Sequence, residues 1–226
     1  TNNDICDFVN GSWSPANPMS NIWSSSYKAI QICNQYLAEF QGLTFDELKL
    51  NDDYRAQMFR YTNSFKEARF LRAYFYFNLV RAYGDVPYFT EMVTTDQVNS
   101  LTRTPAQEIF NAIIAECDKL STELPADYTK LGLDGIAPAE NGRVTCYAAL
   151  ALKARAALYA ASPLFNPENN KDLWRRAAEA NKEVIETCTA NGFKLSKYSE
   201  LWGPNNWSNN EMIFVRRYNG NISTLE

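Results

Sequence analysis

The chain has 226 residues, 46% of them hydrophobic and 21% charged, with a formal net charge of −4 at pH 7. That is enough chain for one large or two small domains with a true core, and its dispersed, slightly acidic charge excludes a phosphate-neutralising nucleic-acid binder. Histidine is absent and the five cysteines stand far apart, so the usual zinc centres, His-based triads and paired metal motifs are excluded, and neither cofactor nor metal is expected. An odd cysteine count closes no disulfide framework, and the thiols read as small buried hydrophobes. No apolar run approaches the length needed to cross a bilayer as a helix.

Residues 1 to 20 mix Asp4, Asp7, Asn10, Gly11, Pro15, Asn17 and Pro18 with Phe8 and Trp13, a loop composition with a turn at Asn10-Gly11. Trp13 joins no periodic stripe. A first helix is expected from Ser20 or Asn21 to Phe40, with Trp23, Tyr27, Ile30, Asn34 and Leu37 on one face. On that face Trp23 and Tyr27 should pack inward and Asn34 should bond a neighbouring backbone. Thr44-Phe45-Asp46-Glu47 has the letters of a capping box and opens a short helical turn.

Tyr54 to Tyr83 is the element around which the chain is organised. Apolar residues recur at Tyr54, Met58, Tyr61, Phe65, Ala68, Leu71, Phe75, Leu79 and Ala82, while Phe70, Ala73, Phe77 and Val80 make a second stripe. A helix apolar on two sides must be packed on two sides. At 1.5 Å per residue its span is about 45 Å, so it can serve as the central beam of a domain. Gly84 ends it and Pro87 prevents its resumption.

Tyr88 to Arg103 reads as an irregular linker. Thr104-Pro105-Ala106-Gln107 looks like a second capping box and starts a helix to about Leu120 whose apolar face is Ile109, Phe110, Ile113, Ile114 and Cys117. A glycine- and proline-bearing loop follows. Arg143 to Ala161 is helical and alanine-rich, which lets neighbours approach closely, until Ser162-Pro163 breaks it. Asp172 is expected to cap a helix from Leu173 to Thr189 with Trp174, Ala177, Ala178, Asn181, Val184 and Ile185 inward, and Gly192 to stop it. Phe193-Lys194-Leu195 and Glu211 to Arg216 read as short strands around a loop from Trp202 to Asn210 rich in Asn and Trp.

The fold class expected is therefore all-α in the main: residues 1–226 as a single domain of tetratricopeptide-like stacked helix pairs, with irregular loop inserts and a few short strands near the C-terminus. A stack fits better than a four-helix bundle, because two helices need apolar contacts on opposite faces.

The letters of the beam also carry a resemblance. Glu67-Ala68-Arg69-Phe70-Leu71-Arg72-Ala73, the aromatic run Tyr74 to Phe77, and Leu79-Val80-Arg81-Ala82-Tyr83-Gly84-Asp85-Val86-Pro87 resemble the signature helix of the SusD/RagB family. Trp23 to Leu37 and Arg143 to Pro167 are similar in a weaker way. The resemblance implies a surface lipoprotein of the Bacteroidetes outer membrane that captures glycans for a SusC-like TonB-dependent transporter. It further implies a longer natural chain, held to the membrane only through a lipid anchor outside this segment.

A sugar site needs flat aromatic faces and several amides or carboxylates for the hydroxyls. Aromatics on helical stripes are committed to packing, which leaves the loop residues Trp13, Trp202, Trp207 and Tyr88. Trp13, flanked by Asp7, Asn10 and Asn17, is preferred, with Trp207 as a second contact. Arg69, Arg72 and Arg81 should pair with carboxylates or carbonyls such as those of Glu67 or Asp85. No phosphate-binding glycine loop, dinucleotide fingerprint, GxSxG elbow or HExxH motif occurs, and the chain reads as non-enzymatic. Two alternatives stay open: a tetratricopeptide scaffold that binds peptide in a groove, and a helical glycoside hydrolase with a carboxylate pair in a cleft.

Overall fold

The computed structural model describes residues 9, 11, 14, 22–133, 142–202 and 209–215. Among them are six α-helices: α1 (Ile22–Glu39), α2 (Tyr54–Tyr83), α3 (Thr95–Ser100), α4 (Ala106–Glu123), α5 (Cys146–Ala161) and α6 (Lys171–Ala190), with single 3₁₀ turns at Asp46–Leu48, Tyr128–Lys130 and Tyr198–Glu200. The main packing runs α1 on α2, α2 on α4, α4 on α5 and α5 on α6. Each long helix thus touches its predecessor and its successor, which is the layout of a tetratricopeptide-like stack.

α2 is the beam that its two stripes demand. From Asn63 to Val80 no residue is exposed, because α1 covers one side and α4 the other. Phe70, Tyr76, Phe77, Leu79 and Val80 are almost wholly buried there. Trp23 and Tyr27 of α1 pack inward as the spacing predicts, Trp23 edge-on to Tyr83 at 5.1 Å between ring centroids. Asn34 likewise donates to the Glu91 carbonyl at 2.9 Å. The Tyr27 hydroxyl donates to the Pro87 carbonyl at 2.8 Å, and the Tyr76 hydroxyl both donates to Phe89 O and accepts from Phe89 N. Burial pushes both phenols above the ordinary tyrosine range and keeps them protonated for these bonds.

Gly84 ends the beam as expected, with φ +70° and its N–H on Val80 O at 2.9 Å. The next residues dock the beam on α4. Val86 is fully buried and its carbonyl accepts from Thr104 N, while the Asp85 carboxylate accepts from Ala106 N at 2.8 Å.

That contact corrects the expected capping box at Thr104. Pro105 occupies the N-cap position of α4 without a side-chain cap, so the cap comes from Asp85, twenty-one residues away. Gln107 is turned aside to donate to the Ala160 and Phe165 carbonyls at the end of α5. The box at Thr44 does not form either: the segment makes one 3₁₀ turn closed by backbone bonds, too short to need it. A true capping box lies in the supposed linker, where Thr94 and Gln97 open α3.

α5 starts at Cys146, three residues later than expected, and its buried alanines let α4 and α6 close on both sides. Lys153, only 15% exposed, ties the three helices together through Asp118 of α4 and Glu183 of α6. α6 is capped by Asn170, whose side chain accepts from Asp172 N, instead of by Asp172 itself. It packs chiefly on α5, so a single face suffices: Leu173, Ala177, Ala180, Val184 and Cys188 point inward, while Trp174, Ala178 and Ile185 face solvent, contrary to the reading of the sequence.

The two short strands near the C-terminus are also corrected. Residues 193–195 and 211–215 form no strand. One backbone bond joins them, Lys194 N to Asn210 O at 3.3 Å, and the next rung is taken by a side chain, the Glu211 carboxylate accepting from Ser196 N at 2.8 Å.

Candidate functional site

Trp13, Asp7, Asn10, Asn17 and Trp207 lie outside the described residues. Of the remaining loop aromatics, Tyr88 is no platform: its ring packs on Tyr76 at 4.6 Å between centroids and stands against the core. Trp202 is one. It is 70% exposed and meets Tyr198, 76% exposed, with ring centroids 5.8 Å apart at 64°. The sequence reading missed Tyr198. Its only signal is that it stands four residues before Trp202 in a stretch with no helical stripe to absorb it.

The segment that carries this ring pair is held from beneath. Ser196 Oγ donates to Asn209 Oδ1 at 2.6 Å, Ser196 N to the Glu211 carboxylate, and Lys194 N to Asn210 O. Two large apolar faces left in water on an anchored loop are available to stack on a flat apolar surface such as one side of a pyranose.

Beside the anchors runs a trough of about 550 Å³, walled by segments 125–131, 142–147, 191–193 and 209–212. Tyr147 and Phe193 meet edge to face at its apolar wall, 4.8 Å between centroids. Its lining carboxylate, Asp127, is held below the usual range, first by the Thr129 hydroxyl at 2.6 Å and also by Thr129 N and Lys130.

The trough wall is fixed to the beam by a polar cluster. Arg143 holds Glu67 with two hydrogen bonds, Nε to Oε1 at 2.8 Å and Nη2 to Oε2 at 2.9 Å. Glu67 Oε1 also accepts from Asn63 at 2.8 Å and from the Tyr128 hydroxyl at 3.0 Å. Three arginines of the beam are engaged as well. Arg69 pairs with Glu116 and Glu123, Arg72 donates to Asn34 and the Thr90 carbonyl, and Arg81 lies over the Phe77 ring. Carboxylate and carbonyl partners are as expected for Arg69 and Arg72, whereas Arg81 is exposed and meets a ring instead, and Glu67 and Asp85 serve Arg143 and Ala106. No group of three His, Cys, Asp or Glu side chains suited to a metal occurs among the described residues.

A stack of helix pairs, each packed on the one before and the one after, belongs to the class of helical solenoids. Within that class the chain belongs to the SusD-like family: residues 2–158 match the family model described as "Starch-binding associating with outer membrane". It is 26% identical over 210 residues to SusD-like protein P2 of Formosa agariphila, covering 91% of this chain and 35% of that protein. It superposes on a SusD-like carbohydrate-binding protein of Bacteroides fragilis with TM-score 0.63 and 28% identity, over 85% of this chain and 32% of the other. A laminarin-binding SusD-like protein matches with TM-score 0.65 and 25% identity, over 94% and 41%. The chain spans about a third, 31% to 35%, of the length of the curated relatives that it matches.

Proposed function

We propose that this chain is part of a non-enzymatic glycan receptor: a lipoprotein on the outer face of the outer membrane that captures oligosaccharides and delivers them to a SusC-like TonB-dependent transporter. Residues 1–226 act in it as one helical unit. The observation that carries the reading is the Tyr198 and Trp202 ring pair, large and wet on an anchored loop, in a member of a family described as starch-binding. Trp13, with Asp7, Asn10 and Asn17, and Trp207 supply further contacts to the same ligand.

Starch and laminarin, the polymers named for the family and for one similar structure, are the first ligands to try. In affinity electrophoresis of the full-length protein, at least one soluble polysaccharide of a broad panel should retard the wild type, and Trp202→Ala and Trp13→Ala should each weaken the retardation by about tenfold. A wild type retarded by no polysaccharide overturns the receptor reading. Unchanged retardation in one variant removes that tryptophan from the site. Release of reducing sugar from a retained polymer would replace the receptor by a hydrolase.

A further inference from the structure

A residue in the wall of the trough carries a polar atom that the fold does not use. Thr145 sits at the N-cap position of α5, where a threonine hydroxyl ordinarily accepts from an amide of the first turn. Here it caps nothing: Thr145 Oγ1 is buried, has no hydrogen-bond partner, and belongs to a residue that lines the trough. Leaving such an atom unpaired is costly. Asn210, on the opposite wall, is exposed and uses its backbone carbonyl for Lys194, which leaves its carboxamide available. Asn191 donates its amide to Thr187 O and keeps its side-chain oxygen as an acceptor.

The rest of the lining restricts what these groups could meet. The Asp127 carboxylate is neutralised within the wall by Lys130 at 3.2 Å, so the trough offers an ionic ligand little net charge. Tyr147 and Phe193 add an aromatic edge. A second hollow of about 430 Å³ shares Asp127, Thr145, Tyr147 and Phe193 with it and prolongs it along Arg143 and Ile213. The volume falls in the range of roughly 300–1,000 Å³ typical of small-ligand clefts. Unpaired hydroxyl and amide groups beside an aromatic wall, without net charge, suit a neutral polyhydroxylated ligand.

The trough also lies close to the ring pair. Phe193 in its wall and Tyr198 on the platform are five residues apart, so their Cα atoms are separated by at most about 18 Å. One short oligosaccharide can reach both.

We infer that the trough lined by Thr145, Asn191, Phe193 and Asn210 is a second carbohydrate subsite, which takes a neutral sugar residue of the same chain that stacks on Tyr198 and Trp202. The inference rests on the receptor reading above. Two contacts on one chain act as a linked pair, so losing the inner one lowers affinity for a chain long enough to span both.

The test uses the full-length protein and the polysaccharide it retains most strongly in a panel that includes starch and laminarin, with the hexasaccharide and monosaccharide of that polymer as titrants. Thr145→Val removes the unpaired hydroxyl at constant shape. It should leave the melting temperature unchanged or raise it, while lowering hexasaccharide affinity about threefold to tenfold. Asn210→Ala alters an exposed residue and tests the opposite wall without touching the core. An affinity loss in either variant at undiminished melting temperature supports the subsite. Affinities within twofold of wild type in both, with Trp202→Ala still weakened, overturn it and leave the receptor reading standing. A wild type that binds nothing in the panel overturns both.

Discussion

Removing Glu67 should do more damage than removing any exposed carboxylate of the chain. Its two oxygens accept both donors of Arg143, one from Asn63 and one from Tyr128, which ties the beam to the wall of the trough. In Glu67→Ala the Tyr128 hydroxyl keeps the Val144 carbonyl at 2.7 Å and Asn63 keeps Tyr128 at 2.8 Å, so the main loss is the anion facing Arg143. A fully buried pair loses about 3–5 kcal/mol when one partner is taken away. Glu67 is 16% and Arg143 27% exposed, so water reaches the guanidinium and the expected cost falls to about 2–3 kcal/mol. For a chain of this size that lowers the melting temperature by about 4–12 °C. Urea denaturation of Glu67→Ala, Arg143→Met and the double variant measures it. The double variant should lose less than the two single losses together, because each single change already removes the same pair. Glu67→Gln, which keeps an acceptor for Asn63 and Tyr128, should fall between wild type and alanine. A Glu67→Ala protein within about 0.5 kcal/mol of wild type would refute the assignment of this cluster as the joint between beam and trough.

The turn after the beam separates two effects. Gly84→Ala meets no atom within 4 Å, so its cost is purely that of a side chain at φ +70°, about 1–3 kcal/mol by thermal denaturation. Asp85→Ala instead strips the cap from α4 and should cost about 1 kcal/mol, with Asp85→Asn recovering most of it. Asp127 gives a pH dependence of defined sign. Its folded pKa lies below the ordinary 3.8, so its stabilisation is present above that value and is lost as the pH falls through the lower, folded one. The stability gap between wild type and Asp127→Asn should therefore shrink on acidification below 3.8, and a gap that widened there would reverse the assigned shift. With a third of the side chain exposed the gap is small even at neutrality.

Helices and their approximate limits were legible in the letters because burial imposes a period. The stripes of Tyr54 to Tyr83 call for partners on two sides, and α1 and α4 supply them. Gly84 and Gly192 end helices where the sequence says they should, since a positive φ is a local property. Caps were read poorly for the opposite reason. Thr104 and Thr44 have the right letters, but an orphan amide accepts whichever oxygen the tertiary structure brings, and for Ala106 that is Asp85. Trp174 and Ile185 have inward spacing yet face solvent, because periodicity shows an apolar face without saying whether a neighbour will cover it.

The site divides in the same way. Trp202 could be found from sequence, as an aromatic residue outside any stripe, and Tyr198 could have been found by the same rule. The trough could not. Thr145, Asn191 and Asn210 come from three stretches separated by tens of residues, and none belongs to a motif. What the sequence alone determined is therefore the five long helices and the loop aromatics left out of them, since both follow from local periodicity. Which caps, faces and polar atoms stay unclaimed was decided only by the tertiary structure, because a hydrogen bond between distant segments depends on where packing sets them down.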